Sequence, residues 1–222
     1  PATAASKRDA AWVTPLAALS ICANAAANAS WAPRSWVRCS PATAAAVTLG
    51  VAEAIAKCAV KPKRTVVFFF FGSEEQSEDQ GTEGSHYYTE HPVYPLDKTV
   101  VFINMEGPGI GDKISASGGT TYPKFWEFVE KANKDFIHRV LRTGPASYPA
   151  RPRQDSAWFF WNGVPSLTFG AFGGPRVPYS TYHNTKDSIE LTTPEIMEDI
   201  AQLLFMTIMD LSDEPALDFR RK

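Results

Sequence analysis

The stretch "TVVFFFFGSEEQ" (residues 65–76) joins a run of seven apolar or β-branched residues to two adjacent glutamates, Glu74 and Glu75. A continuous run of this composition is typical of a strand that is covered on both faces. Burial of one ionised carboxylate without a partner is strongly unfavourable, and two neighbouring carboxylates also repel each other. The glutamate pair is therefore either solvated on a loop or neutralised by a cation that the sequence itself does not contain.

Three further segments have the composition of short buried strands. "TVVFIN" (99–104) repeats the pattern of the first run, "GVPSLTFG" (163–170) is bounded by glycines, and "LAALSICAN" (16–24) precedes them in the chain. Short apolar runs of this kind between turn signals are consistent with strands inside a sheet. Together with the apolar run 65–71, these segments are the predicted strands.

Three segments show the apolar spacing of helices. In 44–57, valine and isoleucine recur every four residues, as on one face of a helix. The segment 121–142 is amphipathic with Thr121 as its predicted cap, and 193–213 begins with Thr193 as cap and a proline at the first helical position. Because strands alternate with helices, we predict an α/β fold with a mostly parallel central sheet flanked by helices on both faces.

The size and charge of the chain exclude several classes of protein. The 222 residues are 44% hydrophobic, which supports a single domain spanning residues 1–222. A net charge of −2 argues against nucleic-acid binding, which needs a basic face. No run approaches the roughly 18 apolar residues of a membrane span, so we predict none. The three cysteines lack CxxC spacing, and we assign no disulfide.

Acidic residues and a histidine follow the predicted strands. The glutamate pair follows strand 65–71, and Glu106, in "FINMEGPG", follows strand 99–104. His183, in "YSTYHNTKDS", lies in a loop after the third strong strand. In open α/β sheets, ligands bind beyond the carboxyl ends of the strands, and carboxylates with an imidazole suit Zn²⁺. Spacing alone leaves open that the glutamates are solvated and that the histidine is a hydrogen-bonded structural residue.

Four segments carry a family resemblance, in the order "KRTVVFFFFGSEEQ…GTEGSHYY", "VVFINMEGPG", "DSAWFFWNGVPSLTFG" and "YSTYHNTKDSIE". They resemble the zinc-dependent exopeptidases with co-catalytic metals, which include bacterial leucyl aminopeptidases, plasma glutamate carboxypeptidases and glutaminyl cyclases. The resemblance extends from about residue 44 to residue 213. It implies an aminopeptidase that hydrolyses peptides through a metal-activated water, with one or two Zn²⁺ ions, in a secreted or periplasmic protein.

The resemblance also implies roles for individual residues. Glu74 corresponds to the general base that activates the attacking water, and Glu75 corresponds to a ligand of one zinc ion. His183 corresponds to the partner of Glu75 on the same ion. Glu106 occupies the position of a ligand of the other ion, where the family usually has aspartate. The additional methylene alters the reach of the carboxylate but still permits coordination.

Two further residues border the implied site. Asp155, in "QDSAWF", matches an acidic position of the family, and the role implied for it is to orient a metal ligand. Tyr182 precedes the histidine and borders the substrate pocket or simply packs against its neighbours. The aromatic-rich segment 156–174 likewise lines a specificity pocket or belongs to the core.

The first part of the chain departs from the family pattern. The family's H-x-D motif falls at "ANAA", with Asn24 in place of histidine and Ala26 in place of aspartate, and its bridging aspartate falls within 39–46, which has no carboxylate. The first 60 residues contain 21 alanines, against 8 in the other 162. Either the chain is a catalytically degenerate binding or scaffold homologue, or its alanine-rich start, 1–43, is not the natural sequence. Glutaminyl cyclase chemistry, with a single zinc ion, is a further alternative.

Overall fold

A computed structural model describes residues 18–24, 39–74, 82–150, 152–174 and 186–220. In chain order, the strands are β1 (Ala18–Asn24), β2 (Thr65–Phe71), β3 (Thr99–Met105), β4 (Lys113–Ser117), β5 (Leu141–Gly144) and β6 (Ser166–Phe172). The α-helices are α1 (Cys39–Lys57), α2 (Glu83–Glu90), α3 (Pro123–Ala132), α4 (Ser156–Trp161) and α5 (Pro194–Asp213).

The six strands form one sheet in the order β2-β1-β3-β6-β4-β5. Neighbouring strands are parallel except β4 and β6, which are antiparallel. This arrangement confirms the predicted α/β class with a mostly parallel central sheet. None of the helices in the described ranges is long and apolar enough to cross a membrane.

Helices cover both faces of the sheet. Along β3, Val101, Ile103 and Met105 belong to a core that they share with α1, α3 and α5. Phe102, which points to the opposite face, packs with Phe159 of α4, and their ring centroids are 3.7 Å apart. These four β3 side chains are at most 1% exposed. Full burial of one such side chain stabilises the fold by roughly 1.5–3 kcal/mol. The side chains of β3 therefore contribute to the apolar core on each face of the sheet.

The strand β2 is less buried than its sequence predicted. We expected coverage on both faces, but most of its residues are half-buried and Phe70 is 44% exposed. In the sheet as described, β2 has β1 as its one strand neighbour, whereas β3 lies between β1 and β6. The apolar run therefore predicted a strand correctly and its degree of burial incorrectly, because burial depends on the place of the strand in the sheet.

The two predicted helix starts have different outcomes. In α5, Thr193 is the N-cap residue and Pro194 is the first helical residue, as predicted. In α3 the helix begins at Pro123, so the prediction of Thr121 as its cap is wrong. The Thr121 hydroxyl instead accepts the backbone N–H of Ala146 at 2.9 Å. This contact ties the start of α3 to the loop that follows β5.

The predicted C-terminal end of helix 121–142 is also wrong. After α3, a π-helical turn (Asn133–Ile137) follows, and His138 then adopts a left-handed φ of 61°. The Asn133 side chain donates to the Arg139 carbonyl at 2.9 Å and accepts the Arg139 N–H at 3.0 Å. These bonds satisfy backbone groups that a continuing helix would use, so the chain leaves the helix and enters β5.

Candidate functional site

Three neighbouring strands bring two of the candidate residues to one edge of the sheet. The strand β1 lies between β2 and β3, and all three are parallel. Asn24, the last residue of β1, is opposite Phe71 and one position beyond the partner of Met105. Glu74 follows Phe71 by three residues, and Glu106 directly follows Met105. Both glutamates therefore lie beyond the carboxyl ends of their strands, as expected.

Glu106 is held by contacts from two sides. Its backbone N–H donates to the carbonyl of Phe169 in β6 at 2.7 Å, and the Asn104 side-chain amide donates to its Oε1 at 3.3 Å. A Cβ atom on Gly170 would lie 2.4 Å from the Glu106 carbonyl oxygen. Glycine is therefore required for this close approach of the two strands, and the half-buried Glu106 has a well-defined position.

Buried hydroxyl groups lie near Glu106. The hydroxyls of Ser156 and Thr168 are 2.7 Å apart, and Thr168 is paired with Asn104 in the sheet. Burial raises the pKa of the Tyr148 hydroxyl; the Ser156 and Thr168 hydroxyls oppose that rise, and the negative charge of Glu106 adds to it. Sequence reasoning missed these three hydroxyls, because they come from separate segments that only the fold brings together.

Asp155 lies directly before Ser156 and is fully buried at the start of α4. Because Ser156 contacts Thr168, this end of α4 is seated on β6 near the carboxyl edge of β3. A buried carboxylate needs polar or charged partners to offset its lost hydration. The predicted role of Asp155, to orient a metal ligand, stays a prediction.

The loop that follows β2 closes beside Glu74. The Glu74 carbonyl accepts the Thr82 backbone N–H at 3.1 Å, and the Gly72 carbonyl accepts the Gly84 N–H at 3.3 Å. From α4, the Trp158 indole N–H donates to the Thr82 hydroxyl at 2.8 Å. The backbone of Glu74 is therefore connected to both α2 and α4.

The described residues do not by themselves complete a metal site. Among them, no group of three or more histidine, cysteine, aspartate or glutamate side chains could hold an ion. The predicted ligands Glu75 and His183, and the pocket residue Tyr182, lie outside the described residues. The Glu106 carboxylate is an oxygen donor of the kind that zinc accepts. A zinc site would therefore need ligands in addition to Glu106, and the roles of Glu75 and His183 stay predictions.

Comparison with known sequences assigns most of the chain to one family. The sequence profile of peptidase family M28 matches residues 41–208. Two similar fungal proteins are vacuolar membrane proteases. That of Candida albicans (strain WO-1) is 27% identical over 161 residues, covering 71% of this chain and 18% of the relative. That of Clavispora lusitaniae is 30% identical over 144 residues, covering 65% and 13%. The chain spans less than a fifth of these relatives.

Solved structures with the same fold include two aminopeptidases. BSAP, a zinc aminopeptidase from Bacillus subtilis, has a TM-score of 0.68 and 19% identity, covering 90% of this chain and 47% of that one. The aminopeptidase from Aneurinibacillus sp. strain AM-1 has a TM-score of 0.69 and 19% identity, covering 98% and 49%. The fold is therefore shared, and the profile match confirms the resemblance to zinc exopeptidases: the chain belongs to peptidase family M28, a family of metallopeptidases.

Proposed function

We propose that this chain is the catalytic domain of a zinc-dependent exopeptidase, most specifically an aminopeptidase that removes the N-terminal residue of peptides. The observation that carries the proposal is the placement of Glu74 and Glu106 at the same carboxyl edge of the sheet, from strands on either side of β1. The family match and the fold shared with zinc aminopeptidases support it.

The proposed chemistry assigns the proton transfers to Glu74. It accepts a proton from the attacking water and delivers that proton to the leaving amine, which is general acid–base catalysis by one carboxylate. Glu106, Glu75 and His183 would hold zinc, which supplies Lewis-acid polarisation of the scissile carbonyl when it is bound. Tyr182 would border the substrate, and the predicted secreted or periplasmic location belongs to the same proposal.

The proposal is tested by Glu74→Gln, which preserves the shape of the side chain and removes its ability to accept a proton. We expect the rate of aminopeptide hydrolysis to fall by about 10²–10⁴-fold, with unchanged zinc content by elemental analysis. Glu127→Gln, at an exposed position of α3, is the matched control and should leave the rate unchanged. Full activity of Glu74→Gln with zinc bound would refute the assignment.

A binding homologue without catalysis is the second candidate. It is favoured by Asn24, which ends β1 beside the two glutamate-bearing strands and corresponds to the family's histidine ligand. Amide side chains are not among the usual ligands of zinc. A purified protein that lacks zinc and binds peptides without cleaving them would support this candidate. Cyclisation of a peptide with N-terminal glutamine, without hydrolysis, would instead identify a glutaminyl cyclase.

A further inference from the structure

Two residues that flank the loop after β2 have strained backbone conformations. Ser73 and Thr82 have φ values of 60° and 54°, in the left-handed region that side chains other than glycine rarely adopt. Such conformations persist where the surrounding structure over-determines them, and they are concentrated at functional sites. Contacts with the surrounding structure therefore hold these two positions, directly beside Glu74.

Backbone hydrogen bonds join residues 72–74 to residues 82–84, and these two segments form the neck of the loop. In addition to the bonds from Thr82 to Glu74 and from Gly84 to Gly72, a third bond of the same kind lies between them. A Cβ atom on Gly84 would lie 2.8 Å from the Gly72 carbonyl oxygen, a separation that real side chains do not show. The two backbone segments of the neck are therefore too close together for a side chain at position 84.

A side chain from another part of the fold contacts the neck. Thr82 is fully buried, and its hydroxyl accepts the indole N–H of Trp158 at 2.8 Å. The Trp158 ring also stacks against His86 of α2, with ring centroids 3.7 Å apart and ring planes 13° from parallel. Because α4 is seated on β6 through Ser156 and Thr168, Trp158 links the Glu74 backbone to the strand beside Glu106.

We infer that Trp158 is a positioning residue for the general base: its indole N–H, through Thr82, fixes the place of Glu74 relative to Glu106. This inference rests on the proposed role of Glu74. A catalytic group displaced by about 1 Å can lose roughly 10²-fold in rate. We therefore expect loss of the hydrogen bond from Trp158 to Thr82 to slow the chemical step more than it weakens substrate binding.

The test makes the same conservative change at two tryptophans, Trp158 and Trp126, each of which donates a hydrogen bond from its indole N–H. Trp158→Phe retains an aromatic ring for the stack with His86 and removes the N–H that Thr82 accepts. We expect kcat to fall by about tenfold to a hundredfold, with KM changed less than about twofold because substrate contacts remain. Trp126→Phe makes the same chemical change in α3, where the indole N–H donates to Glu130 at 2.8 Å, and it should leave both constants unchanged.

A second measurement separates positioning from general structural support. In a Glu74→Gln background, Trp158→Phe should not lower the residual rate further, because a residue that acts through Glu74 then has no base to position. An equal loss in both backgrounds, or a kcat for Trp158→Phe equal to that of wild type, would overturn this inference and leave the proposed function intact. Full activity of Glu74→Gln would overturn the proposed function, and this inference with it.

Hydrogen exchange tests the hydrogen bond without reference to turnover. The Thr82 and Gly84 amides donate the bonds that close the neck, so their exchange reports how often it opens. We expect faster exchange at both amides in Trp158→Phe and unchanged exchange in Trp126→Phe. Unchanged exchange in Trp158→Phe would show that the indole does not hold the neck, and the inference would fail.

Discussion

The strands β2 and β3 begin with the same four residues, TVVF, and each is followed by a glutamate of the candidate site. Their surroundings differ. β3 lies between β1 and β6 and is almost entirely buried, whereas β2 lies at the edge of the sheet as described, and most of its residues are half-buried. The same local sequence therefore supports two different structural positions.

The difference between the strands extends to their glutamates. Glu106 is placed by the strand ladder itself, through its N–H bond to Phe169 and the close approach of Gly170. Glu74 is placed by contacts outside the ladder, through the strained neck and the bond from Trp158 to Thr82. The residue after the edge strand is thus held by helices, whereas the residue after the central strand is held by a neighbouring strand.

Truncating one phenylalanine on each strand is expected to give the largest change in the free energy of unfolding. Phe102→Ala should lower the free energy of unfolding by about 3–5 kcal/mol, because its ring is fully buried and stacked on Phe159. Phe70→Ala should lower it by only about 1 kcal/mol, since Phe70 is 44% exposed. Urea denaturation measures both, and equal losses would contradict the contrast between central and edge strands.

A smaller effect is expected from adding a methyl group at the neck. Gly84→Ala should lower the free energy of unfolding by about 1–3 kcal/mol, because the new Cβ meets the Gly72 carbonyl oxygen. Gly50→Ala is the control, since that position of α1 is exposed and has nothing within 4 Å of an added Cβ. It should raise stability by about 0.5–1 kcal/mol. A neutral Gly84→Ala, measured by thermal and urea unfolding, would show that the neck is not tightly packed.

The smallest effect is expected at alkaline pH, near Glu106. The raised pKa of Tyr148 means that the folded protein retains a proton that the unfolded chain releases above the ordinary value of 10.0. Stability from this group is complete below that pH and is lost as the pH rises further. Tyr148→Phe should therefore lose less stability than wild type between about pH 9 and about pH 11, as followed by urea unfolding. An identical pH dependence in both proteins would contradict this.

A comparison with Tyr88 sharpens that prediction. Burial also raises the pKa of Tyr88, which packs beside β2, but the charge of Glu106 contributes to the shift of Tyr148. In a Glu106→Gln background, the effect of Tyr148→Phe on the pH dependence should shrink, while that of Tyr88→Phe should persist. An unchanged effect of Tyr148→Phe in the Glu106→Gln background would show that the Glu106 charge does not contribute to the raised pKa of Tyr148.

Long elements with a regular apolar pattern were predictable from the sequence. β2, β3 and α5 match their predicted ranges closely. In the two strands the apolar residues form a continuous run, and in α5 they recur on one face of the helix. Helices α2 and α4 were not predicted, since eight and six residues are too few to show a helical period. The end of α3 was missed because the Asn133 side chain, rather than the apolar pattern, ends it.

The candidate site was predictable only in part. Glu74 and Glu106 follow apolar runs directly, and a sheet rule is enough to place both at one edge. Trp158, Thr82 and Tyr148 carried no such signal, because their relation to the glutamates comes from contacts between segments distant in the chain. The resemblance named Glu75, His183 and Tyr182, whose roles stay predictions.

The sequence by itself determined the class of fold and the family, because apolar runs, helical spacing and four ordered motifs are local properties of the chain. Which of two strands that begin with the same four residues became central, and what holds the glutamate after each one, was decided by the tertiary structure. The physical reason is that burial, close backbone approach and a directed hydrogen bond depend on neighbours that come together only when the sheet and helices pack.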